Sequence, residues 1–150
     1  MSSIVRRGGV AGTGVFAASP RPPSVTRHRI VNPPELPPPS GFSYAVVADG
    51  RTVHLAGQLG TGKTIVEQFD NAAANLITAL RAAGGEPEDL VSLQIFVTDV
   101  PAYKGSLPGL ARVWRRHFGS HYPAMGLFGV QELFESWAQV ELMGVAVVST

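Results

Sequence analysis

The alternation of apolar and polar positions along the chain predicts five strands and two long helices. Short runs rich in β-branched and apolar residues predict strands, whereas apolar residues repeated every three to four positions predict helices. The strands are predicted at residues 43–49, 52–58, 90–100, 125–130 and 139–148. With the helices between them, the order β-β-α-β-α-β-β indicates an α+β fold with a mixed sheet and both helices on one face.

Local signals sharpen these predictions. Asp49-Gly50 separates the first two strands and is a strong hairpin signal, so we expect those strands to pair antiparallel. Thr64 followed by Glu67 is typical of a capping box at the start of the first helix, and Gly84 is typical of its end. The apolar side of the second helix, predicted at residues 107–118, consists of Leu107, Leu110, Trp114 and Phe118.

The last predicted strand contains one carboxylate, Glu141, in a run that is otherwise apolar on both alternating faces. This pattern is typical of a strand that is covered on both sides. Because the two helices can cover only one face of the sheet, we expect copies of the same chain to cover the other. A carboxylate is costly to bury unless it is hydrogen-bonded or paired. Glu141 is therefore a candidate for handling protons, and equally for a structural bond at a subunit seam.

Composition limits the class of protein. The 150 residues are 45% hydrophobic and 15% charged, carry a formal net charge of +1 and include no cysteine. This length fits one domain with a substantial core. The low charge gives no electrostatic footprint for nucleic acid or an anionic membrane, and no apolar run approaches the roughly 20 residues that span a bilayer. The lack of cysteine fits a reducing compartment. We expect a soluble, cytoplasmic protein with neither nucleic acid nor membrane as a partner.

Residues 1–29 differ from the rest of the chain. They include no acidic residue and are rich in arginine, glycine, serine and proline. Such a segment buries too little apolar surface to offset its ordering entropy. We therefore predict a disordered extension at residues 1–29 and one folded domain at residues 30–150. A targeting signal that follows Arg6 and Arg7, and a misplaced start, are the alternatives for this segment.

The segment GQLGTGKT, from Gly57 to Thr64, satisfies the P-loop pattern and lies between a predicted strand and a predicted helix. A P-loop fold, however, needs a parallel sheet with helices on both faces, and the hairpin signal upstream argues against one. Nucleotide binding is therefore kept only as a remote alternative to a glycine-rich turn that ends at a helix cap. His117 and His121 are four residues apart, but Gly119 interrupts the helix between them, so we expect no metal site.

Six segments carry a resemblance to a known family. In chain order they are GFSYAVV, TVHLAGQ, EQFDNAAANLITALRAAGG, LVSLQIFVTDV, HYPAMGLFGV and AQVELMGVAVV. This colinear set, from about residue 30 to residue 148, resembles the Rid family, the YjgF-like reactive intermediate deaminases. The resemblance implies a chorismate-mutase-like fold and a homotrimer with a central barrel and three clefts between subunits. It also implies hydrolysis of 2-imino or enamino acids, such as 2-iminobutanoate, to 2-keto acids and ammonia without a cofactor.

The resemblance also implies which residues form the site. Glu141 matches the glutamate taken to activate the attacking water, and Ser43 matches the serine of a cleft loop. Met125 stands in the place of the arginine that holds the substrate carboxylate, and a thioether cannot imitate a guanidinium. The predicted binding residues are Phe42, Ser43, Trp114, Tyr122, Met125, Gly126, Leu127 and Phe128.

Two functions of different classes follow from these residues. The first is a non-catalytic trimer whose apolar clefts bind a small metabolite, with poor activity on the usual 2-imino acids because Met125 replaces the arginine. The alternative is a hydrolytic imine or enamine deaminase that acts on a different or neutral substrate. In that case Glu141 is the general base, and backbone amides near Gly126 and Leu127 hold a polar group.

Overall fold

The computed structural model describes residues 28–149. In chain order these residues form β1 (Arg29–Val31), β2 (Ala45–Val47), β3 (Arg51–Leu59), α1 (Ile65–Ala82), β4 (Leu90–Val97), α2 (Val100–Gly105), α3 (Leu107–Phe118), β5 (Ala124–Gly129) and β6 (Val140–Val148). The predicted boundary between the extension and the domain, at residues 29 and 30, falls within β1. The predicted extension otherwise lies outside the described residues.

The main sheet has four strands in the order β3-β6-β4-β5. β6 is antiparallel to both of its neighbours, whereas β5 is parallel to β4. The helices α1 and α3 pack on one face of this sheet and on each other. The predicted α+β fold with a mixed sheet and helices on one face is confirmed.

The predicted hairpin pairing is wrong. β2 pairs antiparallel with β1 in a separate two-stranded sheet, while β3 pairs with β6. The turn itself is present, and Gly50 has a φ of 146°, a conformation that favours glycine. Because β3 and β6 have nine residues each and β2 has three, β3 forms a much longer ladder with β6 than β2 offers.

The first helix begins and ends where the sequence predicts. Thr64 Oγ1 accepts a hydrogen bond of 3.2 Å from the backbone N of Glu67. The Glu67 carboxylate reaches back to the backbone N of Lys63, at 2.7 Å, rather than to that of Thr64, so the box is displaced by one residue. The helix buries Phe69 and Leu76 completely in the core.

The second predicted helix has the expected bounds as α3, and it buries Leu110, Trp114 and Phe118. Leu107, however, is 51% exposed, because it lies in the first turn of α3, ahead of the residues that enter the core. The strand predicted at residues 90–100 is three residues too long, since β4 ends at Val97. Asp99 then caps α2 by accepting a hydrogen bond of 3.0 Å from the backbone N of Ala102.

The face of the main sheet opposite the helices is here called the open face. Alternate residues of β6 place Glu141 and Met143 on it, and the strand register adds Phe96 of β4 and Phe128 of β5. Met143 is 38% exposed and Phe128 is 47% exposed. Cover of this face by further copies of the chain stays a prediction. Among residues 28–149 no helix is both long enough and apolar enough to cross a membrane.

Candidate functional site

Glu141 lies in a row of side chains that crosses all four strands on the open face. Leu59 of β3 pairs with Glu141, Glu141 pairs with Phe96 of β4, and Phe96 pairs with Phe128 of β5. Opposite residues of antiparallel strands have Cβ atoms about 4.5–5.5 Å apart, so Glu141 has an apolar neighbour on each side. We call these four residues the Glu141 row.

The carboxylate of Glu141 is partly exposed, and it forms no hydrogen bond or ion pair within residues 28–149. The sequence pattern predicts a strand covered on both sides, with a carboxylate that is costly to bury unless it is hydrogen-bonded or paired. One chain does not form that environment. The carboxylate therefore keeps its acceptor sites available to water, to a ligand or to another subunit.

The aromatic end of the Glu141 row is closely packed. The rings of Phe96 and Phe128 stack with their centroids 5.6 Å apart and their planes 27° apart. The ring of Phe128 also lies over Gly126, where an added Cβ would come within 2.9 Å of two ring atoms. Gly126 therefore makes room for an aromatic ring, in addition to the backbone role predicted for it.

The other end of the row is shaped by a bulge in β3. The register between β3 and β6 shifts between Leu55 and Gln58, and Gly57 lies in the shifted segment. A Cβ added to Gly57 would overlap Oε1 of Glu141. The missing side chain thus allows the carboxylate to lie against the backbone of β3.

The charges of the main sheet are few and are separated along it. Glu141 is the one acidic residue in its four strands, and the basic residues are Arg51 and His54 of β3. His54 pairs with Val145, four residues from Glu141 along β6, which corresponds to about 13 Å. His54 is also exposed in the single chain. No basic residue of the sheet therefore neutralises Glu141.

Met125 lies on the face opposite Glu141. It pairs with Leu93, which is 1% exposed, and it packs against the core between the sheet and the helices. Leu127 is two residues further along β5 and pairs with Ile95, so it shares the face of Met125. A small molecule that contacts Glu141 on the open face therefore does not meet Met125 of the same chain.

The predicted loop residues lie beside the start of β5. Ser43 is 5% exposed, and its Oγ donates a hydrogen bond of 2.5 Å to the carbonyl of Tyr122. Its backbone N donates to the carbonyl of Pro123 at 3.0 Å, which fixes the loop to this segment. Phe42 packs edge-on against Tyr44, with ring centroids 5.0 Å apart. In the single chain, the Ser43 hydroxyl thus holds the loop in place.

Trp114 is a core residue that supports Tyr122. The two rings are stacked with an interplanar angle of 6° and centroids 5.6 Å apart, and Trp114 is 6% exposed. Trp114 Nε1 also donates a hydrogen bond of 3.1 Å to the carbonyl of His121. Within one chain, the predicted residues therefore form three groups: one on the open face, one on the helix face of β5, and one at the loop. Their action as a single cleft stays a prediction.

The site predicted around Glu141 did not include Phe96, Leu59 or Gly57, and Gly57 was named only as the start of the P-loop pattern. The alternation of β4 indicates which residues share a face with Phe96, but it does not indicate that the strand lies beside Glu141. The bulge at Gly57 has a weak signal in the sequence, because an isolated glycine in a strand pattern is typical of a bulge. Register and strand order were needed to find all three.

The segment from Gly57 to Thr64 comprises the end of β3 and a glycine-rich turn, which is held against α1. The carbonyls of Thr61 and Gly62 accept hydrogen bonds of 2.6 Å and 3.1 Å from the side chains of Asn71 and Gln68. The backbone N of Lys63 is engaged by Glu67. The strand before the turn is antiparallel to its neighbour, whereas a P-loop follows a strand of a parallel sheet. The nucleotide-binding alternative is therefore contradicted by the fold.

His117, in the last turn of α3, and His121, three residues after the end of α3, have different partners. His117 Nε2 lies 2.5 Å from Oδ1 of Asp70, and His121 Nε2 lies 2.8 Å from the carbonyl of Leu90. In the part of the chain that the structure describes, no group of three or more histidine, aspartate or glutamate side chains is arranged to hold a metal ion.

A mixed sheet with helices on one face and a lone carboxylate on the other defines an α+β subunit whose candidate site is on its sheet. The family model described as Endoribonuclease L-PSP matches residues 34–148. The chain is similar to a 2-iminobutanoate/2-iminopropanoate deaminase of Dermatophagoides farinae, with 30% identity over 129 residues, 80% of this chain and 96% of the relative. A RutC family protein of Aquifex aeolicus is 33% identical over 129 residues, which cover 79% of this chain and 98% of that protein.

Solved structures show the same similarity. A Rid family protein of unknown function from Yersinia pestis superposes with a TM-score of 0.71 and 31% identity, covering 81% of this chain and 98% of that one. RidA from an Antarctic Psychrobacter has a TM-score of 0.58 and 25% identity, covering 73% and 89%. The chain belongs to the Rid, or YjgF-like, family, as the resemblance of its six segments implies.

Proposed function

We propose that this Rid family member is a homotrimer whose clefts between subunits bind a small metabolite, and that it is a poor deaminase of 2-imino acids. One observation carries the proposal: Glu141 is accompanied by apolar side chains and by no basic residue of the sheet. A 2-imino acid carries a carboxylate, and a carboxylate needs a charge-assisted partner to be held in an apolar site. Met125 stands in place of the family arginine, and if a neighbouring subunit brings it to the cleft, its thioether does not supply such a partner.

Assembly is supported by the open face. Met143 and Phe128 are large apolar side chains that stay more than a third exposed on this face. Covering the face would remove their apolar surface from water. A closed assembly of identical chains would cover the open faces of all its subunits at once. Light scattering at micromolar concentration should therefore give three times the mass of the chain. A monomer mass would contradict this part of the proposal.

Binding is tested by thermal shift with a panel of small metabolites that differ in charge. A ligand that binds the folded trimer raises the melting temperature in a saturable way. We expect such a rise with at least one apolar member of the panel. Phe128→Ser should abolish the rise if the ligand contacts the open face, whereas the exposed Phe134→Ser, in the loop before β6, should retain it.

A second function is favoured by the free acceptor sites of Glu141. Glu141 would take a proton from a water molecule while the water oxygen bonds to an imine carbon, and it would pass that proton to the imine nitrogen to give a carbinolamine. The hydroxyl proton then moves to the nitrogen as the carbon–nitrogen bond breaks, which releases ammonia and a carbonyl product. The similarity to the deaminase of Dermatophagoides farinae supports this alternative. Release of ammonia from a neutral imine by the wild type, and its loss in Glu141→Gln, would favour a hydrolase over a binding protein.

A further inference from the structure

The Glu141 row combines two features that both favour a positively charged ligand. It places a carboxylate without hydrogen-bond partners in the described chain next to Phe96, and it places Phe96 in a stack with Phe128. A carboxylate attracts a cation and repels an anion, and aromatic faces add a further attraction for organic cations. Both features act in the same direction.

No basic side chain of residues 28–149 forms an ion pair with Glu141. The ion pairs formed between residues 28 and 149 are Arg81–Glu86, Arg116–Asp70 and His117–Asp70, and they leave Glu141 out. Lys63 follows β3 in the adjoining turn, but it makes no ion pair with Glu141. Within one chain, an anionic ligand at the Glu141 row would therefore meet a negative charge that no ion pair neutralises.

We propose that the Glu141 row binds a small organic cation, a protonated amine or an iminium with an apolar body, rather than a carboxylate-bearing imine. This inference rests on the proposed function and specifies the class of its ligand. The charged nitrogen donates hydrogen bonds to the Glu141 carboxylate. The apolar body lies along Phe96, Phe128 and Met143, where the proposed cleft between subunits leaves part of the open face to the ligand; in the single chain Met143 and Phe128 are both more than a third exposed.

The geometry at Gly57 favours the same ligand. Because the glycine leaves the space beside Oε1 of Glu141 unfilled by a side chain, the carboxylate can lie toward β3. The side of the row that carries Phe96 and Phe128 is then left for the apolar body. The charged group of the cation would thus contact Glu141, while its apolar part would contact Phe96 and Phe128.

The test is calorimetric titration of the wild-type protein with three probes that share a 2-phenylethyl group and differ in charge: 2-phenylethylamine, 2-phenylethanol and 3-phenylpropanoate. We expect the amine to bind at least ten-fold more tightly than the alcohol. A charge-assisted hydrogen bond is stronger than a neutral one by an amount that corresponds to roughly a ten-fold difference in the binding constant. The carboxylate should bind more weakly than the alcohol.

Two variants connect the preference to the row. Glu141→Gln keeps the shape and removes the charge, so the amine and the alcohol should bind within about two-fold of each other, because the carboxylate contribution is gone. Glu132→Gln removes an exposed acid of the loop after β5 and should keep the wild-type preference. Melting temperature and light scattering establish that both variants fold and assemble as the wild type does.

The outcomes separate this inference from the proposed function. Equal affinity for the three probes, a preference for the carboxylate, or an amine preference that persists in Glu141→Gln would overturn the cation assignment and leave a binding trimer in place. Absence of binding for all three probes at millimolar concentration would overturn the cation assignment. If the metabolite panel then also fails to stabilise the protein, the proposed binding function falls with it.

Discussion

Gln68 of α1 accepts a hydrogen bond of 2.8 Å on its side-chain Oε1 from the backbone N of Gln139, two residues before Glu141. Its Nε2 donates to the carbonyls of Gly62 and Trp137 at 3.1 Å and 3.2 Å. Gln68 is 2% exposed. One buried amide therefore joins α1 to the glycine-rich turn and to the start of β6, and it fixes the strand position from which Glu141 is presented.

Substitution Gln68→Leu should lower the free energy of unfolding by about 1–3 kcal/mol per buried polar group that loses its partner. The cause is that Leu fills a similar volume but offers neither donor nor acceptor. Denaturant titration measures the loss. Gln131→Leu, at an exposed loop position, is the matched control and should change stability little. Equal stability of the two variants would mean that water replaces the three bonds of Gln68.

Asp70 makes stability depend on acid pH. Its Oδ2 accepts a bond of 2.7 Å from Arg116, and its Oδ1 lies 2.5 Å from Nε2 of His117. The hydrogen bond to His117 in the first place, and the charge of Arg116, hold the pKa of Asp70 below the ordinary 3.8. Because the folded pKa is lower than the unfolded one, this stabilisation is complete above the unfolded pKa and is lost as pH falls through the folded pKa.

Asp70→Asn should therefore lower the melting temperature at about pH 6, and the difference from the wild type should shrink below pH 3.8. Calorimetric scans across this range provide the measurement. Glu88→Gln, an exposed acid of the turn before β4, should show no such convergence. A difference between Asp70→Asn and the wild type that stays constant down to pH 2.5 would contradict the assigned role of the carboxylate.

Gly60 is required where the turn after β3 meets α1. A Cβ at this position would overlap the backbone N of Ala72 and the backbone O of Gln68, and backbone atoms cannot move aside as a side chain can. We expect Gly60→Ala to lower the free energy of unfolding by about 1–3 kcal/mol. Gly105→Ala is the matched control, since no atom lies within 4 Å of the added Cβ. If Gly60→Ala left the free energy of unfolding unchanged, the turn would have to move aside without cost, contrary to this prediction.

The wild-type protein should hydrolyse 2-iminobutanoate at or near the background rate, because Met125 stands where the family resemblance implies an arginine that holds the substrate carboxylate. The relative from Dermatophagoides farinae, which is named a 2-iminobutanoate/2-iminopropanoate deaminase, serves as the positive control in the same assay of ammonia release. Met125→Arg should not by itself place a guanidinium next to Glu141 of the same chain, since the two positions lie on opposite faces of the sheet. Robust activity of the unmodified protein would refute the inference drawn from Met125.

The sequence alone determined the elements that depend on local signals. α1 begins at its Thr64 cap and is ended by Gly84, and α3 has the predicted bounds, because caps and a 3.6-residue apolar repeat act within a few residues of one another. The colinear segments were also sufficient to identify the Rid family. The single charge of the last strand indicated Glu141 as the residue to follow.

Only the tertiary structure decided which strands pair and what Glu141 faces. The Asp49-Gly50 signal describes a turn but not the partners of its strands, and the longer ladder with β6 takes β3 away from β2. The same register places Phe96 beside Glu141 and turns Met125 to the opposite face. Side chains alternate with a period of two along every strand, so a residue's face and neighbours depend on pairing between distant segments, which no local pattern contains.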